Sequence, residues 1–427
     1  MNSQVLPSRR GNTLNMNVGI IVTSYWAYGE LLIALQFAKR IKKFGYKPYF
    51  FIPPSHKNIL QQENMNYCVL IPNIGSINRI LFQDYENRCH PEYVILSDFL
   101  NYNFCEKDYG LCAKDLEIFS GRIGTFDNFD WTIKLRKMDT YGFAASIASE
   151  VDINKYGFKL VPCPITNVNE QNEDNKFYYS LIEEYLEYDE EKKIKMREEL
   201  NLPQNKPIIL VTSATWQDTY KSYPKIITCV EKFNNVYARL LDKMSEKVTI
   251  VHVGKNSSIK FKNENKNIIY LDNLSPKLFD KYSIACDVFL SRNITSTTLA
   301  KVVCSGIPAM ALTNSLHIKN GFVLSSNSEI TNEMKKELEK VDDLYPYRMF
   351  PVGWHSFLEP IHKNNPYFDL VIEEEVFDFD KVLKSIDKMT NDAEYRAEIK
   401  EKAMQYRLSL DNLKKPEEIL SLLNNRG

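Results

Sequence analysis

The stretch DVFLSRNITSTTLAKVVCSGIPAMAL (287–312) decides the fold. Val288–Ser291 is a short, wholly apolar run that ends in a hydroxyl residue. A polar turn follows, rich in Ser and Thr, and opens a helical segment that closes at Gly306. Gly-Ile-Pro then leads into a second apolar run, 307–312. Strands that are apolar on both faces and are joined through a helix belong to a parallel sheet covered on both sides.

Working outward, the same alternation repeats. Upstream lie PIILVTS (207–213), a long amphipathic helix at 223–244, KVTIVHVG (247–254), IIYLDN (268–273) and SPKLFDKYSIACD (275–287). In the last of these, Ser275 is placed as an N-cap and Pro276 at the first helical position. A second alternation begins near the start of the chain. MNVGIIVTS (16–24) reads as a buried strand, 28–45 as a helix stopped by Gly45, and 46–53 as the next strand. Further strands are expected at 66–72, 93–98 and 121–128, with a helix at 76–89. Residues 164–176 read as a polar crossing, 177–201 as a charged, solvated helix, and 380–389 and 393–410 as helices of the tail. The expected organisation is an α/β chain of two doubly wound, Rossmann-like units: 16–170, 171–390, and a helical tail over 391–427.

Composition limits the function. The chain has 427 residues, of which 44% are hydrophobic and 26% charged. It carries 54 Lys+Arg against 55 Asp+Glu, a net charge of −1. That balance argues against a dedicated nucleic-acid binder. The eight cysteines form no Cys-x-x-Cys pair and have no zinc-finger spacing, and several sit in apolar runs, which points to a reducing, cytoplasmic setting. The N-terminal residues lack the apolar core of a signal peptide, and no apolar run reaches the ~18–20 residues of a membrane helix. Peripheral membrane contact stays open.

In a doubly wound sheet, ligands bind beyond the carboxyl ends of the strands, so the loops there hold the candidate residues. The turn around Asn293, Thr295, Ser296, Thr297 and Thr298 offers hydroxyls and first-turn helix amides, a set suited to phosphate oxygens. The plainer reading of the turn is an ordinary N-cap. Thr212, Ser213, Trp216 and Gln217 follow the strand 207–213, and Gly254 and Lys255 follow the strand 247–254. Near the start, Tyr25, Trp26, Gly29 and Glu30 open the first helix. Asp98 ends a strand, and Asp127 and Trp131 lie in the aromatic loop TFDNFDW. A buried carboxyl can act as a general base, but an acid in a first helical turn also complements the dipole, and a loop Asp also forms turns. The irregular segment 345–360 adds Arg348, Trp354 and His355, which can bind a ring and a phosphate or simply pack. No His/Cys/Asp/Glu cluster has metal-ligand spacing, so no metal is expected.

With these segments in view, the chain resembles the GT-B glycosyltransferases, a divergent bacterial branch with the frame of the inverting members. The resemblance rests on the strand–turn–helix–Gly-x-Pro frame of 287–312 and on Gly29-Glu30 opening the first helix. It implies two Rossmann-like domains facing a cleft, with the C-terminal helices returning across it. It implies a nucleotide-diphosphate sugar as co-substrate rather than a tightly bound cofactor, held by the second domain through 293–298 and 212–217. The first domain would take a small-molecule, glycan or peptide acceptor, and Glu30 would stand where the family has a catalytic His, with Asp98 or Asp127 as the next candidates. Lys301 stands where the family has a Glu that binds ribose. A sugar-nucleotide epimerase on the same fold and a catalytically inactive partner subunit remain as alternatives, and the oligomeric state is left open.

Overall fold

The structure is a computed structural model of the chain. It describes all residues except 1–15, 26–27, 132–137, 141–143, 147–151, 170–174, 214–223, 255–266, 273, 321, 326–357 and 426–427.

The first half is built on β1 (Asn17–Ile21), α1 (Tyr28–Lys43), β2 (Lys47–Ile52), α2 (Lys57–Gln62), β3 (Asn66–Val69), α3 (Gly75–Cys89), β4 (Tyr93–Leu96), α4 (Phe99–Asn103), α5 (Glu106–Tyr109) and β5 (Arg122–Phe126). A two-stranded hairpin of β6 (Met138–Thr140) and β7 (Ala144–Ser146) follows, then β8 (Phe158–Cys163) and β9 (Lys176–Ser180). Seven strands form one sheet in the order β3-β2-β1-β4-β5-β8-β9, and every pairing in it is parallel.

The second half begins with α6 (Glu190–Glu199). Its sheet uses β10 (Ile208–Thr212), β11 (Thr249–Val253), β12 (Ile268–Leu271), β13 (Val288–Ser291) and β14 (Ala309–Thr313). After the hairpin of β15 (His317–Lys319) and β16 (Phe322–Ser325), β17 (Ile372–Glu375) completes it. The order is β12-β11-β10-β13-β14-β17, again all parallel. The stretch 287–312 thus forms two adjacent strands and the helix Thr297–Cys304 between them, as its sequence required.

Each sheet reverses its direction of growth once, between β1 and β4 in the first and between β10 and β13 in the second. At such a reversal the two flanking loops leave in opposite directions and open a crevice. Ile21 is in register with Leu96, and Thr212 with Ser291. The loops after β1 and β4, and after β10 and β13, therefore define where a ligand can enter.

Two expectations change. Residues 177–201 are not one helix. Lys176–Ser180 is a fully buried strand, and the helix starts only at Glu190, where Asp189 caps it by accepting from the Lys192 amide at 2.8 Å. The first sheet consequently runs ten residues past 170, because β9 pairs along its whole length with β8. The tail returns to the first half, as the resemblance implied. The helix Pro416–Asn425 buries Ile419, Leu420 and Leu423 in the same core as α1. Tyr93 donates to the Leu420 carbonyl at 3.1 Å, and Arg122 to that of Leu423 at 2.6 Å.

Candidate functional site

Glu30 stands in the first turn of α1, just past the β1 crevice loop. Its Oε1 accepts from the Asn101 side-chain amide at 2.7 Å, and its Oε2 is buried. Asn101 is placed by Asp98. That residue caps α4, with Oδ1 accepting from the Asn101 backbone amide at 2.8 Å. One asparagine therefore ties together two carboxyls from the two loops of the first crevice.

Burial, and next the Asp98 charge, hold the Glu30 carboxyl well above the usual range, against hydrogen bonds from Ser24 and Asn101 that favour ionisation. Asp98 is pushed up to about 6, again mainly by burial, against backbone amides of Asn101 and Leu100 and the Asn128 side chain. Two acids that repel one another in a desolvated pocket hold one proton more readily than none. Behind them His56 Nε2 lies 2.8 Å from the Ser24 carbonyl and fixes the β1 loop. Burial lowers its pKa to about 4, so this imidazole is neutral.

The opposite wall is built on the second crevice. Asn293 folds the turn after β13: its Oδ1 accepts from both the amide (3.0 Å) and the hydroxyl (2.9 Å) of Thr295. Ser291 closes the other side, donating to the Asn293 carbonyl at 2.9 Å. Ser296 is the N-cap of Thr297–Cys304, and its Oγ lies 2.6 Å from Thr298 Oγ1. Ile294 and Leu299 are fully buried, while Thr295–Thr298 stay half-buried. The apolar residues pin the turn to the core, and its hydroxyls line the cleft beside the first-turn amides of the helix. Next to it Ser213 Oγ sits 3.2 Å from His252 Nε2. His252 is held neutral, near 3, by burial and then by the Arg292 charge. Gly254 follows β11 at φ +127°, a backbone conformation that favours glycine, with its Cβ position 3.3 Å from the Ser213 carbonyl.

The two walls face one cleft of 1470 Å³. Gly29, Glu30, Asp98 and Trp131 line it from the first half. Thr212, Ser213, Gly254, Asn293 and Thr295–Thr298 line it from the second. Lys301 lines it too, with Nζ 2.8 Å from each carboxylate oxygen of Asp280, which projects from the helix Pro276–Ala285.

Two described candidates are not among the lining residues. Asp127 is fully buried, and its Oδ1 accepts from the Trp131 amide at 2.8 Å. It is a turn former, as is Asp130, which sits at φ +49° and holds Lys176 at 2.7 Å and the Tyr178 hydroxyl at 2.9 Å. Together they hold the turn that places Phe129 and Trp131 in the cleft wall. Tyr25 is 49% exposed, and its carbonyl takes the Ser55 hydroxyl. Trp26, Trp216, Gln217, Lys255, Arg348, Trp354 and His355 lie outside the described residues.

Sequence reading did not single out Asn101, His56 or Asp280. The pattern Asp98-x-x-Asn101 at a helix start was a usable signal for the first; nothing local marks the other two. Among the described residues no group of three or more His, Cys, Asp or Glu could hold a metal ion, and no helix is long and apolar enough to cross a membrane.

Residues 37–426 match a protein family described as "Family of unknown function (DUF6365)", and the chain belongs to that family. No curated protein matches it. Solved structures match over 96% of the chain at low identity. A glycosyltransferase from Rickettsia africae ESF-5 is 14% identical, matched over 97% of its own length, with a TM-score of 0.50. Arabidopsis thaliana UGT89C1 is 10% identical over 98% of its length, with a TM-score of 0.56. Anabaena Alr3699/HepE, solved with UDP, is 10% identical over 100% of its length, with a TM-score of 0.55. The fold is that of the GT-B glycosyltransferases.

Proposed function

We propose that this chain is a glycosyltransferase that moves a sugar from a nucleoside-diphosphate sugar to an acceptor hydroxyl, inverting the anomeric centre. One observation carries the reading: a paired, desolvated Glu30 and Asp98 at the switch point of one sheet face a hydroxyl-and-amide turn at the switch point of the other, across one cleft.

The division of labour follows from the chemistry of each wall. The turn Asn293–Thr298 would take the diphosphate, using the dipole of Thr297–Cys304 and the hydroxyls in place of a basic field. Glu30 would accept the acceptor's proton as its oxygen bonds to the anomeric carbon, while the bond from that carbon to the diphosphate breaks and the electron pair leaves with the phosphate. A base held above the ordinary carboxylate range suits this transfer better than an ordinary carboxylate. Asp98 raises Glu30 by its charge, and Asn101 orients it.

The test has two parts. A saturating UDP-, dTDP- or GDP-sugar should stabilise the protein, by about 2.7 kcal/mol at one hundred times Kd. Glu30→Gln should retain that stabilisation and lose at least about 100-fold in kcat. Absence of stabilisation by every nucleotide sugar defeats the reading. Turnover that survives Glu30→Gln moves the base elsewhere, to Asp98 first.

A further inference from the structure

Next to the hydroxyl turn, the second wall of the cleft carries an ion pair. Lys301 stands three residues past Thr298, about 4.5 Å further along the helix Thr297–Cys304 and on the same side of it. Asp280 comes from the helix Pro276–Ala285, and both side chains line the cleft. Lys301 Nζ lies 2.8 Å from each carboxylate oxygen. The two side chains are 30% and 33% exposed, and an ion pair so exposed adds little to stability. Nor do the helices need it as a brace, since Leu299, Val302 and Ala285 anchor them in the core. Its place in the cleft wall points to the ligand instead.

Position 301 is where the resemblance implied an acceptor for ribose, and an ammonium can only donate. The acceptor stands on the neighbouring helix. A carboxylate has about four lone-pair sites. Lys301 takes one at each oxygen, which leaves one at each, side by side. That remainder matches a vicinal diol, whose two hydroxyls donate in parallel. Lys301 also cancels the charge with which a lone carboxylate would repel a diphosphate. In a nucleoside diphosphate the ribose follows the phosphates by one oxygen and one methylene. Phosphates held at Thr295–Thr298 therefore bring the ribose to the next turn of the same helix, where the pair stands. Beside Asp280 the wall is apolar: Leu274, Pro276 and Phe279 line it, half-buried, a surface for the flat face of a base.

We infer that Asp280 reads the ribose of the donor. It takes the 2′- and 3′-hydroxyls on the two oxygens that Lys301 holds, so the chain selects ribonucleotide donors over 2′-deoxyribonucleotide donors. This rests on the transferase reading and narrows its donor.

The experiment compares nucleotides that differ by one hydroxyl, UDP with 2′-deoxy-UDP and GDP with 2′-deoxy-GDP, and adds dTDP, by calorimetry on the full chain. For whichever base binds, the ribonucleotide should bind at least about tenfold tighter, the strength of one hydrogen bond to a charged group. The ratio of the two affinities should fall to parity in Asp280→Ala. It should take an intermediate value in Asp280→Asn, whose amide keeps one neutral acceptor. Damage to the fold weakens both members of a pair alike and leaves the ratio at its native value, so the ratio isolates the contact. Equal affinities within a pair, tightest binding by dTDP, or a ratio that survives Asp280→Ala would overturn the inference and leave the transferase reading standing. Binding of none of the five nucleotides would overturn both.

Discussion

Two carboxyls in one desolvated pocket impose a cost that a change of pH exposes. Asp98 moves from the ordinary carboxylate value to about 6 on folding. Between about pH 4 and pH 6 the folded chain keeps a proton that the unfolded chain has lost, so stability falls as pH rises through that window and stays reduced above it. Two units correspond to at most ~3 kcal/mol. Asn is as good an N-cap as Asp, so Asp98→Asn keeps the bond to the Asn101 amide while removing the charge. The variant should be more stable than the native chain at pH 8, by up to that amount, and converge with it at pH 4, as read by denaturant titration at both values. It should also shift the acid limb of kcat/KM to lower pH, since Glu30 loses the like charge that raises it. A limb that stays in place would remove Glu30 from the role of base. At this scale the sequence was half legible. Asp98 stood out because it ends an apolar strand, and Glu30 because the resemblance sets it where the family has a catalytic His, but Asp127 and Asp130 in TFDNFDW sit at a strand end too, and only their inward hydrogen bonds mark them as turn formers. Asn101 meets Glu30 across 71 residues, a contact no local pattern encodes.

Elements were legible where both faces of a strand are covered by helices, because continuous apolar runs such as 288–291 and 307–312 have few other readings. The element misread was the one with mixed chemistry. Lys176–Ser180 starts with a lysine and leads into Glu183, Glu184 and Glu187, so the charged run masked five buried residues. Lys176 can be buried there because Asp130 neutralises it at 2.7 Å, a partner on a different strand connection. The last helix shows the same limit. Pro416–Asn425 reads as an amphipathic tail, and nothing in it says that its apolar face closes the core over α1. That placement predicts that Leu420→Ala destabilises the first half of the molecule, far from it in sequence. A fully buried leucine truncated to alanine costs about 2–5 kcal/mol. Hydrogen exchange should show protection lost at α1 and β1 ahead of β10 and β11. Equal loss in both halves would mean that the helix braces the whole chain instead.

The molecule as a whole is two sheets of one topology whose switch points face each other, and the chain is laced so that the first half is not contiguous. The largest apolar cluster joins residues of both halves, among them Val161, Tyr178, Leu186, Leu299 and Tyr406. The first sheet takes its seventh strand from beyond residue 170 and its outer helix from 416–425. A cut at the boundary that composition suggested would therefore strip β8 of one of its two parallel partners, β9, and uncover the face of α1 that Ile419, Leu420 and Leu423 bury. A fragment of residues 16–170 should show poor amide dispersion and no cooperative thermal transition. Extending it to 188 restores the strand but not the helix. Joining 16–188 to 412–425 through a flexible Gly/Ser linker restores both, and that fragment should melt cooperatively. If 16–170 alone melts cooperatively, the lacing is not what holds the first half together, and the two halves are independent domains that merely touch.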